Sequence, residues 1–167
     1  NSAYLQNVIS VFMILFGINF NAYFLLLTRK FKQLFKIEEI RVYLGVIAVF
    51  TTLIAFNVRG CFGSLRESFH HSLFQVASII TTPGFSTVDF NQWPAFSKLL
   101  LVLLMFIGAC AGSTGGGMKC SRILLLFKGV KKEMMSLIHP RLVRVHKMDG
   151  QRVQHEVMRS VNAFLVA

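Results

Sequence analysis

Residues 78–90 read Ser-Ile-Ile-Thr-Thr-Pro-Gly-Phe-Ser-Thr-Val-Asp-Phe. Pro83 fixes one backbone dihedral and forbids helix continuation, while Gly84 is free to take a positive φ, so the stretch reads as a polar elbow after a short apolar segment. The chain on either side is dominated by long apolar runs. Non-helical backbone is tolerated at membrane depth only where it is buried in protein or lines a water-filled cavity. An elbow flanked by membrane spans therefore points to a pore lining.

Immediately upstream, Phe69 to Ile80 is apolar or weakly polar apart from His70, His71, Ser72, Gln75 and Ser78. This segment is too short to cross a bilayer, so it predicts a re-entrant half-helix over 69–80. Its carboxyl end would carry about half a unit of negative macrodipole charge to the membrane middle, which favours a cation there. Residues 81–87 then climb back out. Successive carbonyls turned toward an axis can replace an ion's hydration shell, and the hydroxyls of Thr81 and Thr82 add neutral oxygens. Such hard, neutral ligands suit an alkali cation that must leave again, whereas a carboxylate ring suits divalent ions better.

Composition agrees with a bilayer setting: 54% of residues are hydrophobic, 17 are Phe, and mean hydropathy is +0.58. Soluble domains carry about 45–50% apolar residues. A net charge of +11 raises the possibility of nucleic acid, but the Lys and Arg residues sit in blocks between apolar runs. A membrane face suits them better, and no nucleic-acid partner is expected. Cys61, Cys110 and Cys120 form no CxxC pair, which argues against a disulfide framework or a zinc site.

Tyr4 to Thr28 contains no charged side chain and predicts a first span, and Val42 to Val58 a second. Neither the sequence before Tyr4 nor that after Thr28 has the character of a secretory signal. A third span is predicted over 96–128, interrupted by Gly108-Ala-Cys-Ala-Gly-Ser-Thr-Gly-Gly-Gly-Met-Lys119. Basic residues orient the three. Arg29, Lys30, Lys32, Lys36 and Arg41 precede span two, ten more lie between Lys119 and Arg159, and only Arg59, Arg66 and Lys98 remain for the other side. By the positive-inside rule, 29–41 and the basic segment 129–156 are cytoplasmic, and 59–95 lies outside with the half-helix and elbow within it. Trp93 is expected to mark the outer interface. No ionisable residue is expected within a span.

The interruption in span three holds Gly108, Gly112, Gly115, Gly116 and Gly117, each costing a helix about 1 kcal/mol relative to Ala. Ser113 and Thr114 can bond freed backbone groups, and Lys119 lies where a cytoplasmic vestibule would begin. A polar constriction is the expectation, with a hinge or a close helix contact as the plainer alternative.

The order span, half-helix, TTPGFST, span, with a GSTGGGMK break inside the last span, resembles one repeat of the bacterial Trk/Ktr/HKT superfamily of potassium transporters, in its Trk-type membrane subunit. The resemblance covers nearly the whole chain. It implies an all-α integral membrane fold built of potassium-channel-like repeats of helix, re-entrant pore helix, filter loop and broken helix. Residues 42–128 then match a third repeat, 1–28 the closing helix of the second, and 157–167 the start of the next. It also implies potassium ligation at Thr82, Pro83, Gly84 and Phe85, with Thr81 beside them, Gly84 standing at the filter glycine. Ser at that position accompanies sodium permeation in some members. The break, Gly108 to Gly117, matches an intramembrane gating loop.

One filter segment cannot close a ring of carbonyls, so the resemblance further implies a longer polypeptide whose remaining repeats surround this one. It implies potassium as substrate with no cofactor in this chain, and location in the bacterial inner membrane as a multi-pass protein. The implied partners are a second copy in a homodimer and a cytoplasmic nucleotide-binding regulatory subunit, with membrane lipid as a simpler partner for the basic segment.

An enzyme is the rival class. Gly112-Ser-Thr-Gly115 has the look of an intramembrane protease serine region, but no His lies inside a full span to act as base. A phosphate loop needs Gly-Lys-Ser or Gly-Lys-Thr, and here Met118 intervenes and Cys120 follows Lys119. A non-conducting structural subunit of a membrane complex is the remaining alternative.

Overall fold

The structure, a computed structural model, describes residues 2–34, 36–138, 147–148 and 151–152. The expected next span at 157–167 and most of the basic segment beyond 138 lie outside the described residues. Among the described residues seven α-helices follow in order: α1 Ala3–Phe16, α2 Phe20–Leu27, α3 Phe31–Leu34, α4 Glu38–Asn57, α5 Leu65–Thr81, α6 Ala95–Met105 and α7 Cys120–Ile138. A two-residue antiparallel pair, Lys147–Met148 with Gln151–Arg152, is the only strand structure among the described residues.

α4 is the central helix. With a 3-10 turn at its end it runs Glu38–Cys61, 24 residues, and is long and apolar enough to cross a membrane. It begins four residues before the expected start at 42, because Glu38 and Glu39 occupy its first turn, where the positive end of the helix dipole favours carboxylates. Tyr43, Ile47, Ile54 and Val58 fall on one face of α4 and pack with Val76 and Ile80 of α5 and Leu100, Leu101 and Leu104 of α6. The opposite face presents Leu44, Val49, Leu53 and Phe56 outward.

α5 starts at Leu65 rather than Phe69, since the Ser64 side chain accepts from Glu67 N at 3.2 Å and caps the helix. It packs on α1, α4 and α6. Ser68, Ser72 and Ser78 of α5, Thr51 of α4 and Ser97 of α6 are fully buried while large apolar side chains face out. Ser68 Oγ and Ser78 Oγ donate to the carbonyls of Ser64 and Phe85, and small polar residues at helix contacts with apolar side chains outward are the pattern of helices in lipid. Trp93, expected at the interface, is instead buried in the α4–α6 core at 3% exposure, because Pro94 and the 3-10 turn Phe90–Gln92 fold it inward.

The expected first span is not continuous. α1 and α2 meet at 92° across residues 17–19. In an unbroken helix the carbonyls of Phe16 and Gly17 would accept from Phe20 N and Asn21 N. Here Phe16 O accepts from Thr114 N at 3.4 Å and Gly17 O from Cys110 N at 3.0 Å. Phe20 N donates to Gly112 O at 3.0 Å, and Asn21 N to the Asn19 side chain at 2.8 Å. The glycine-rich segment thus supplies partners for three of the four groups that the break frees, and Asn19 for the fourth, so an apolar, charge-free run can bend here.

Gly17 also permits a close approach. A Cβ there would lie 2.1 Å from Tyr43 Oη and 2.8 Å from Thr81 Cγ2. Tyr43 is fully buried and donates to Ile14 O at 3.1 Å. Gly17→Ala is expected to destabilise the protein by about 1–3 kcal/mol through overpacking, read as a lowered thermal midpoint in detergent. Adding Tyr43→Phe removes the clashing oxygen, so the double variant should recover part of the loss. A double variant that is no better than the sum of the two singles would show that the contact does not set the bend.

Candidate functional site

The elbow leaves the carboxyl end of α5. Thr81 is the last residue of that helix rather than the first of a loop, and its hydroxyl donates to Ala77 O at 2.7 Å. Thr82 caps the helix in the left-handed conformation, φ 67°. For a β-branched residue this is a strained state that costs roughly 1–2 kcal/mol and calls for a cause in the surroundings. The cause is visible: Thr82 N donates to Ile79 O at 3.2 Å, and Thr82 Oγ1 accepts from Gly116 N at 2.8 Å.

Pro83 follows, then Gly84 with φ 76° and no atom within 4 Å of where a Cβ would stand. Phe85 O accepts from Ser78 Oγ at 2.6 Å, which ties the outgoing limb back to α5. Further out, His71 Nδ1 lies 3.0 Å from Thr87 Oγ1, and the His71 ring stacks on Phe62. His70 contacts Gln6 and Asn7 of α1 at 2.7 and 2.9 Å. The two histidines therefore brace α5 and the outgoing limb. Asp89 accepts from Asn91 N at 3.0 Å and shapes a turn.

The segment between α6 and α7 lies against the inner end of this elbow. Its roots are closed by Gly108 N donating to Met118 O at 2.7 Å and Cys120 N to Ala109 O at 3.1 Å. Gly108 has no room for a side chain, since a Cβ would sit 2.5 Å from Gly116 O and 2.8 Å from Met118 O, both backbone atoms. Gly115 packs on Ala109 and Thr81, Gly116 on Thr82. Gly112 and Gly117 take positive φ at the two shoulders. Ser113 Oγ donates to Cys110 O at 2.6 Å, Thr114 Oγ1 to Phe16 O at 3.3 Å, and Lys119 Nζ to Gly115 O. The structure therefore brings Thr81, Thr82, Gly115 and Gly116 together, while Pro83 and Phe85, with Thr81, border an apolar groove of about 500 Å3 that is also lined by Phe12, Phe16 and Thr114.

Two features escaped the sequence reading. Ser78 is a polar residue on an apolar half-helix, and that contrast was the available signal for its tie to Phe85. Glu39 was assigned to a cytoplasmic linker, yet it is 3% exposed, and its Oε1 accepts from Ala111 N at 2.7 Å and Ser121 N at 3.0 Å. Glu39 stands in the first turn of α4, at the end of that helix.

A family model described as "TrkH: Cation transport protein" matches residues 1–167. The chain belongs to the TrkH family. The family model describes cation transport proteins rather than enzymes, and the fold is all-α. It is 35% identical over 171 residues to the Trk system potassium uptake protein TrkH of Escherichia coli K12, covering 100% of this chain and 35% of that protein. It is 37% identical over 172 residues to the TrkH of Vibrio parahaemolyticus, covering 99% and 35%. The crystal structure of the potassium transporter TrkH from Vibrio parahaemolyticus superposes with a TM-score of 0.91 at 33% identity, covering all of this chain and 37% of that one. The chain thus spans about a third of the length of these TrkH relatives.

Proposed function

We propose that this chain supplies one filter-and-gate repeat of a potassium uptake protein in the bacterial inner membrane. The observation that carries the reading is the elbow at the end of α5, in which Thr82 and Gly84 both hold positive φ while the glycine-rich segment hydrogen-bonds to Thr82. Two such residues on either side of Pro83 take the chain out of helical and extended geometry, so its backbone oxygens are not committed to a ladder. Potassium is the substrate, ligated at Thr82, Pro83, Gly84 and Phe85. The segment Gly108–Gly117, with Lys119 at its inner edge, is the gate. The names of the relatives, potassium uptake proteins, support the choice of cation.

The groove beside Pro83 and Phe85 leaves the elbow open on one flank. The remaining repeats of a longer polypeptide cover it in this reading, and four elbows close one ring. Assembly as a homodimer, with a cytoplasmic nucleotide-binding subunit below and lipid around, belongs to the same proposal. Lys119, Lys128 and Lys131 place positive charge on the inner side, where α7 extends past the expected end of span three to Ile138.

Rubidium uptake into proteoliposomes holding the full-length protein tests the reading. Uptake inhibited by external potassium at concentrations where sodium has little effect is the expected result. Absence of uptake with the regulatory subunit and nucleotide supplied would leave a non-conducting structural subunit as the better account.

A further inference from the structure

The first turn of α4 grips the inner root of the broken span twice. Glu38 pairs with Lys128 of α7. Glu39, one residue on, is buried at 3% exposure and places a single carboxylate oxygen between two backbone donors, Ala111 N at 2.7 Å and Ser121 N at 3.0 Å. Those donors stand on the two limbs of the glycine-rich break: Ala111 on the limb leaving α6, and Ser121 in the first turn of α7. A carboxylate there satisfies one of the orphan N–H groups of a helix start and meets the positive end of its dipole. Hydrogen bonds to an ionised acceptor are roughly twice as strong as neutral ones.

The glycines give this segment little stiffness of its own, and its other ties run to neighbouring backbone or to neutral hydroxyls, apart from Lys119 to Gly115 O. We propose that Glu39 is the positioning residue of the segment: its carboxylate staples the two limbs together, sets the segment at the height where Gly116 reaches Thr82, and carries any displacement of α7 into it. The inference rests on the reading of Gly108–Gly117 as a gate, and goes beyond it by naming the group that holds the gate shut.

Cys110 and Cys120 provide native reporters. Each directly precedes one of the two donors, and they are 0% and 1% exposed. The experiment uses the full-length protein in proteoliposomes with Cys61→Ser, a membrane-permeant maleimide and peptide mapping to assign modified thiols. Glu39→Ala should raise the modification rates of Cys110 and Cys120 about tenfold, because two bonds to a charged acceptor are lost. Glu39→Gln keeps an acceptor oxygen and should stay within about twofold of the parent. A Ser72→Cys reporter, at a fully buried position in α5, should remain protected in both.

Unchanged labelling of Cys110 and Cys120 in Glu39→Ala overturns the proposal. So does equal exposure of the Ser72→Cys thiol, which would mean that Glu39 supports the whole fold rather than this segment. Rubidium flux separates the two layers of argument. Raised labelling with raised flux supports both, and raised labelling with unchanged flux leaves Glu39 as the positioning residue of a segment that is not the gate.

Discussion

Gly84→Ser is expected to lower the preference for potassium over sodium about tenfold while the protein stays folded. Gly84 holds φ 76° and nothing stands within 4 Å of its absent Cβ, so the serine meets no clash among the described residues. The change acts on the backbone. An L-residue at positive φ is disfavoured by roughly 1–2 kcal/mol, enough to shift the elbow toward conformers in which the carbonyls of Pro83 and Gly84 turn off their directions. About 1.4 kcal/mol of lost discrimination corresponds to the tenfold change. Rubidium uptake competed by potassium and by sodium reads it directly, with Gly84→Ala as the control that has the same φ cost and no hydroxyl. If both variants keep the parent's selectivity, the elbow is not the filter, and the site has to be sought elsewhere in the full-length protein.

Removal of residues 113–116 is expected to raise rubidium flux at least about tenfold, the effect of taking roughly 1.4 kcal/mol off a barrier. The deletion joins Gly112 to Gly117, which already turn the chain with φ of 69° and 71°. It removes the bond from Gly116 to Thr82 and those from Thr114 to Phe16. It keeps the roots: Gly108 to Met118, Ala109 to Cys120, Gly17 to Cys110 and the Glu39 bridge. Those remaining ties are the reason to expect a folded protein with an open path rather than a collapsed one. Flux equal to the parent's, in a monodisperse protein, would place the rate-limiting barrier away from this segment.

Both predictions start from features legible in the chain itself. Pro83 and Gly84 announce a stop and a turn after an apolar half-helix, and five glycines between Gly108 and Gly117 cannot sustain a helix inside an apolar span. What was illegible concerned the partners of these segments. Thr81 was grouped with the elbow but completes α5, because Thr82, not Thr81, takes the left-handed cap. The Ser64 cap sets the start of that helix at Leu65, four residues before Phe69, and a serine three residues ahead of Glu67 is a local signal for it.

The sequence by itself determined the membrane class, the order of apolar segments, the elbow and the interruption of the last span. These follow from hydropathy over some twenty residues and from the fixed or freed dihedrals of Pro and Gly, all of which are local. Only the tertiary structure decided that Tyr4 to Thr28 bends at Gly17, that Thr82 is held in a strained conformation, and that Glu39 is buried against Ala111 and Ser121. Each depends on a backbone group whose partner lies 34 to 98 residues away in the chain, Gly116 with Thr82 and Thr114 with Phe16 marking the two limits. In a bilayer such groups cannot turn to water, so the fold is settled by which distant segment takes them up.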